Sequence, residues 1–321
     1  MTDISIIIIN WNTRQMLLDC IASIYETVRK TSFELFVVDN GSTDGSVDAV
    51  ERYFPSVKII ANKANEGFAR ANNHGLRIMH GRYAVLLNSD TLAREGSIER
   101  LISFMNLHSN VGICGPQLLN ADGSRQTSYG CFPTVVGEFT SKNLIRILVP
   151  RVYRGLFMPA HAGQNGPVAV DFIIGACMVV RREAVARVGL LDEDYFFFYE
   201  EIDWCKRMKD AGWLVYNVPD AEIVHFGGAS TKEVSLRARA ESWRSRYLYF
   251  KKSLGLGAVG VFLLYGLGFI HLIYRLTGYL FMNFITFFSI LRLRNRLKIF
   301  GYLFLWHIRG MPVDMCLPRK G

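Results

Sequence analysis

The sequence predicts an α/β fold with a mostly parallel sheet, continued by a basic and apolar helical tail. Three features predict it. Short β-branched or fully apolar runs alternate with stretches whose apolar residues keep helical spacing, as βαβ units require. Several of those runs end in clusters of Asn, Asp, Ser and Gly, at the strand ends where open α/β sheets place ligands. Charge is also split unevenly along the 321 residues: 232–321 carry 15 Lys and Arg against 3 acids, a net of +12, and 1–231 carry 22 against 25, a net of −3.

In chain order, Ile4 to Ile9 is a β-branched run that reads as a buried strand, ending at Asn10-Trp11-Asn12. Thr13 is placed to cap a helix whose apolar positions are Leu17, Ile21, Ile24 and Val28. Phe33 to Val38 is a second strand, and Asp39 to Ser46 (DNGSTDGS) a loop of turn formers rich in backbone N–H groups. Val57 to Ala61 reads as a third strand, and Asn65 to Asn73 leads into a helix. Tyr83 to Thr91 (YAVLLNSDT) is the central strand, with Ala84 to Leu87 running straight into Asn88-Ser89-Asp90. An isolated carboxylate there is costly unless its charge is offset, which a divalent cation does well. The alternative is that Asp90 only caps a turn. Further on, Trp204, Cys205, Met208 and Ala211 mark a helix, and Ala221 to Val224 a strand that delivers His225.

Several classes are excluded. No GxGxxG follows the first strand and no GxxxxGK[ST] occurs, so a nucleotide, if there is one, must be held by side chains such as Asp39 and by a metal. The six cysteines are scattered without a CxxC pair, which reads as buried thiols in a reducing compartment. MTDISIIIINW has an acid where a signal peptide needs a basic region, so the catalytic part is expected in the cytosol. The basic excess has no RNP-type aromatic strand beside it, which argues for an anionic membrane surface and against nucleic acid.

In the tail, Arg275 is the only charge between Lys252 and Arg292, dividing 22 uncharged residues from 16. About 20 residues span a bilayer core. Lys251-Lys252 precede this region, and Arg292, Arg294, Arg296 and Lys298 follow it, so both ends are expected on the cytosolic side. A hairpin of two helices divided at Arg275 meets that condition, as do helices lying in the interface. A third reading buries the segments in a soluble core or a homo-oligomer interface.

Eight segments in order carry a resemblance: Ile4–Asn12, VVDNGSTDGS (37–46), NEGFARANN (65–73), LLNSDT (86–91), DGSRQTS (122–128), DFIIGACMVVRREA (171–184), GLLDEDYFFFYEEIDWCKR (189–207) and HFGGAS (225–230). Together they resemble a family-2 glycosyltransferase of the GT-A fold, similar to bacterial rhamnosyltransferases and galactofuranosyltransferases. The resemblance covers about the first 250 residues. It implies a catalytic region at 1–232 and a membrane-associated tail at 233–321. It also implies an inverting, metal-dependent transferase at the cytoplasmic face of the inner membrane. The donor would be a dTDP- or UDP-sugar, with rhamnose favoured, and the acceptor a polyprenyl-linked glycan in cell-envelope synthesis. The alternatives are a UDP-sugar galactofuranosyl- or hexosyltransferase and a catalytically silent scaffold.

By resemblance, Asn10, Asn12, Asp39, Asn65, Asn72, Asn88 and Asp90 meet the nucleotide and donor. Asn88-Ser89-Asp90 stands where the family has its DXD metal motif, but the first position is an amide, so Asp90 is the only charged ligand there. His225 resembles the second contact to Mg²⁺ or Mn²⁺, and imidazole suits Mn²⁺ better. Glu201 takes the position of the general base, with Glu200 and Asp203 as further acids. Asp203 has its own local reading, an i,i+4 pair with Arg207. Asp171, Gly175, Ala176 and Asp192 fall in the acceptor half, where small residues in a strand let a sugar approach the backbone. The aromatic run Tyr195 to Tyr199 serves sugar stacking or core packing equally well.

Overall fold

The structure, a computed structural model, describes residues 2–140, 149–152, 166–227 and 235–318. The 232/233 domain boundary and Gly228 of the HFGGAS segment lie outside the described residues. Strands β1 (Ile4–Asn10), β2 (Phe33–Asp39), β3 (Lys58–Ala61) and β4 (Tyr83–Asn88) run parallel in the order β3-β2-β1-β4. Helices α1 (Arg14–Thr27), α2 (Ser46–Tyr53) and α3 (Phe68–Ile78) make the crossovers between them. Every residue of β1 is buried, because helices cover both faces. Ile4, Ile6 and Ile8 join the core of α1 and α4 (Ser97–Leu107), whereas Ile7 and Ile9 face α3, the period-2 alternation of a strand.

The other half of the sheet departs from the parallel expectation. Among the described residues the sheet is nine-stranded and mixed. It adds β5 (Thr91–Ala93), β6 (Val111–Leu119), β8 (Val168–Ala169), β10 (Cys177–Arg181) and β11 (Leu214–His225). β10 lies antiparallel between β4 and β6, while β11 runs parallel to β6. The physical reason is the connection. β9 (Phe172–Ile173), which pairs with β7 (Tyr129–Gly130), passes into β10 through a tight turn at Gly175-Ala176, and an antiparallel strand needs no crossover helix. Gly175 and Ala176 are therefore in a turn and Asp171 in a bend between β8 and β9, none of them within a strand. Helices α5 (Val135–Phe139), α6 (Arg182–Val188) and α7 (Glu200–Asp210) flank this half.

The tail forms α8 (Ser235–Ser253), α9 (Ala258–Ile285) and α10 (Leu291–Ile308). The hairpin divided at Arg275 is overturned, because α9 is one 28-residue helix that passes through it. Its guanidinium lies 5.2 and 5.3 Å from the rings of Phe300 and Tyr279, where cation–π contact offsets its burial. The soluble-core reading also fails, since 17% of the most apolar window of α9 is buried. Leu264, Gly268 and Leu272 form the buried stripe, and Phe262, Ile270, Phe281 and Phe284 are exposed. Tyr195 and Tyr199 are buried with Trp243, Tyr247 and Phe250 of α8, so the aromatic run packs the tail onto the sheet domain.

Candidate active site at the carboxyl edge of the sheet

The parallel register brings three site residues to one edge: Asn10 stands opposite Asp39, and Ile9 opposite Asn88. Asn10 donates to Asp39 Oδ1 (2.7 Å) and to Ser42 Oγ (3.1 Å), and the Ser42 N–H donates to Asp39 Oδ2 (2.8 Å). Asn12, at φ 52°, accepts from the Thr43 N–H and donates its own N–H to Ser42 Oγ. Asp39 is thus an ordering residue of its own loop, and both its oxygens already carry one bond. Thr13 stands at the start of α1 without capping it. Its hydroxyl donates to Asn10 Oδ1 and meets Ser89 Oγ, tying the end of β1 to the Asn88-Ser89-Asp90 segment.

Asp90 meets His225 because β5 pairs antiparallel with the end of β11, placing Thr91 opposite His225. His225 Nε2 lies 3.5 Å from Asp90 Oδ1. The far side of the ring is fixed by Gln126. Its Nε2 donates to Asn120 Oδ1 (3.0 Å) and the His225 carbonyl (3.2 Å), which leaves Oε1 to accept from His225 Nδ1–H at 2.7 Å. In the neutral ring Nε2 then carries a lone pair aimed at a carboxylate oxygen. A protonated ring would donate from Nε2 to Asp90, whereas a neutral ring leaves both atoms able to hold a cation. Asn88 adds a buried Oδ1 with no hydrogen-bond partner. These oxygen and imidazole donors fit a divalent cation. Among the described residues no group of three or more His, Cys, Asp or Glu converges, so phosphates and water must complete the shell. Gln126 was not predicted from sequence as a site residue. Its only signal was membership of the DGSRQTS segment.

The base candidate stands next to this edge. The Asn88 N–H donates to the Ala176 carbonyl (3.0 Å), and a methyl at Gly175 would sit 3.6 Å from Glu201 Cβ. α7 begins after Phe198 and Tyr199, two successive non-glycine residues at φ 69° and 70°, a strained entry of the kind found at functional sites. Glu201 has a buried Oε2 without a hydrogen bond, as does Glu200. Burial raises the Glu201 carboxyl to about 7, against the lowering pull of first-turn N–H groups. Glu200 is pushed well above the carboxylate range by burial, then by the neighbouring charges of Glu201 and Glu241. One glutamate therefore holds its proton while the other titrates near neutrality.

Other predicted residues are committed elsewhere. Asp203 takes Arg207 at 2.7 Å, the i,i+4 pair read from the sequence. Asp171 is tied to Lys209 (2.6 Å) and to the Phe132 N–H. Asp192 pairs with Lys252 of α8 and accepts the Asp194 N–H, a turn role. Asn65 accepts the Gly67 N–H ahead of α3. Asn72 is fully buried and donates to the Phe68 carbonyl, while its Oδ1 has no partner.

The profile of glycosyl transferase family 2 matches residues 5–189. An N-acetylglucosaminyl-diphospho-decaprenol L-rhamnosyltransferase of Mycobacterium tuberculosis is 29% identical over 229 residues, 67% of this chain and 73% of the relative. A dTDP-rhamnosyl transferase, RfbF, of Shigella flexneri is 28% identical over 60% of each chain. In structure the chain resembles the mannosyltransferase PcManGT of Pyrobaculum calidifontis, solved with GDP-Man and Mn²⁺. The TM-score is 0.59 at 16% identity, over 97% of this chain and 89% of that one. That likeness shows the GT-A fold.

Proposed function

The chain belongs to glycosyl transferase family 2, and from that premise we propose an inverting transferase that moves rhamnose from a dTDP-sugar to a polyprenyl-diphosphate-linked saccharide. The donor and acceptor classes follow the activities for which the relatives in Mycobacterium tuberculosis and Shigella flexneri are named. The observation that carries the reading is the opposed pair His225 Nε2 and Asp90 Oδ1 at 3.5 Å, at the strand edge where the Gly175-Ala176 turn presents Glu201.

In this reading Asn10, Asp39 and Asn12 shape the loop against which the nucleotide lies. Asp90 and His225, with Asn88, hold Mg²⁺ or Mn²⁺, which when bound supplies positive charge to the departing diphosphate. Glu201 takes the proton of the acceptor hydroxyl. The acceptor oxygen forms its bond to the anomeric carbon as the bond to the nucleoside diphosphate breaks, and attack from the opposite face inverts the centre. Gly175 leaves room beside Glu201 for the acceptor sugar. Glu200, kept neutral by burial, stays out of the proton transfer and avoids a second charge next to the base.

The tail supports attachment to the cytoplasmic face of the membrane. His271 Nδ1 donates to the Phe139 carbonyl, so the sheet domain touches α9 near its middle. A helix so held lies along the interface, apolar face down, and does not cross. Incubating the full chain with dTDP-rhamnose, Mn²⁺ and a prenyl-diphosphate-linked N-acetylglucosamine tests the proposal. A rhamnosylated lipid of inverted configuration is expected. Metal-independent turnover, or a retained configuration, overturns it.

A further inference from the structure

Four arginines converge where the tail meets the sheet domain. A cavity of about 380 Å³ opens between α5, α8, α9 and α10, lined by Arg239, Arg246, Arg275 and Arg296, with Glu138 the one acid among its lining residues. Its size is in the range of a small-molecule site. Arg246 neutralises Glu138 (3.1 Å) and donates to Tyr199 Oη (3.1 Å). Arg239 and Arg296 reach the cavity from the solvent side, and the partly buried Arg275 has no acid beside it in the lining. Arg275 donates to Tyr279 Oη, but its Nε is buried and makes no hydrogen bond. A buried guanidinium N–H without a hydrogen bond is unfavourable. Such an arrangement suits a polyanion, because guanidinium forks match phosphate oxygens bidentately.

We propose that this cavity binds the diphosphate of a lipid-linked acceptor. The inference rests on the acceptor class given above and assigns its anchoring point. Two placements favour a diphosphate lipid over a free anion. The exposed apolar residues Phe262, Ile270 and Phe281 of α9 lie on the helix that contributes Arg275, so a prenyl chain can stay in the bilayer while its head enters the cavity. Arg246 is also bonded to Tyr199, the residue from which α7 starts, two positions before Glu201. A sugar joined directly to the diphosphate then reaches from the arginines toward the base. Arg292, Arg294 and Lys298 of α10 are exposed outside the lining and offer a general surface for anionic headgroups.

The test is calorimetric binding of farnesyl diphosphate to the full chain in neutral detergent, with inorganic pyrophosphate and phosphatidylglycerol as competitors. Arg296→Gln, an exposed residue whose loss leaves the helix core intact, is expected to weaken binding about tenfold or more, and Arg275→Gln likewise. Arg292→Gln should leave it unchanged. Pyrophosphate should compete and phosphatidylglycerol should not. Equal effects of Arg296→Gln and Arg292→Gln, competition by phosphatidylglycerol, or no binding by the native protein overturns the proposal. Metal-dependent donor hydrolysis by the native protein separates the two readings. If it persists without diphosphate binding, the cavity assignment alone fails; if it is absent, the transferase reading fails.

Discussion

The carboxyl edge of the sheet and the helical tail concentrate opposite charges. At the edge, Asp90 Oδ1 lies 3.5 Å from His225 Nε2, and Glu200 and Glu201 each keep a buried oxygen without a hydrogen bond. In the tail, three guanidiniums line a cavity whose single acid is already taken by a fourth. In the proposed reaction each region is completed from outside, by a cation at the edge and by phosphate at the tail. On the proposed reading the two regions divide the labour of one reaction. Damage at the edge should therefore appear in turnover, and damage in the tail in acceptor or membrane affinity.

The largest effect expected from that division is at Glu201. Glu201→Gln should lower turnover by about 10²–10⁴ with donor KM little changed, measured by steady-state release of nucleoside diphosphate. The same variant should be more stable than the native protein. A carboxyl raised from the usual 4.5 to about 7 in the folded state contributes stability that is full below 4.5 and lost as pH rises through 7. Thermal unfolding at pH 8 should show a gain of roughly 1–3 kcal/mol for the glutamine variant. A loss of both activity and stability would assign Glu201 to the core instead.

Next comes Gln126, which touches neither substrate in this account. Gln126→Ala frees the His225 ring, and Mn²⁺ affinity should fall about 10–100-fold in a titration followed by electron spin resonance. The pH–rate profile tests the same edge without mutation. Turnover should fall about tenfold per pH unit below about 7 as Glu201 takes up its proton, and level off above. The smallest effect belongs to the tail's outer face. Phe262→Asp should weaken sedimentation with anionic vesicles by about tenfold while leaving turnover on a soluble acceptor unaltered. A turnover defect there would break the division of labour.

The parallel half of the sheet was legible because each strand is a contiguous apolar run and each site residue closes one. Ile4 to Ile9 and Ala84 to Leu87 are strands whatever follows them, so Asn10 closes β1 and Asp90 stands in the turn two residues past the end of β4. The antiparallel β10 was not legible, since DFIIGACMVV does not say that Gly175-Ala176 folds as a turn. Asp171, Asp192 and Asp203 were read as site candidates, yet each has a basic partner: Lys209 for Asp171, Lys252 for Asp192 and Arg207 for Asp203. Two of those partners are distant in sequence, and pairing over such separations leaves no periodic trace. Arg275 looked like a break between two apolar segments, because the Tyr279 and Phe300 rings that accommodate it belong to a packed helix pair. The arginine cavity was hidden for the same reason, being assembled from four helices.

The account stands or falls on the cation at the end of β4. Pulsed electron spin resonance of Mn²⁺ bound with a nucleoside diphosphate reads it directly. The account predicts one bound Mn²⁺ with imidazole ¹⁴N coupling, the nitrogen signal lost in His225→Ala and binding lost in Asp90→Ala. Mn²⁺ bound without nitrogen coupling, or bound unchanged in Asp90→Ala, would contradict it.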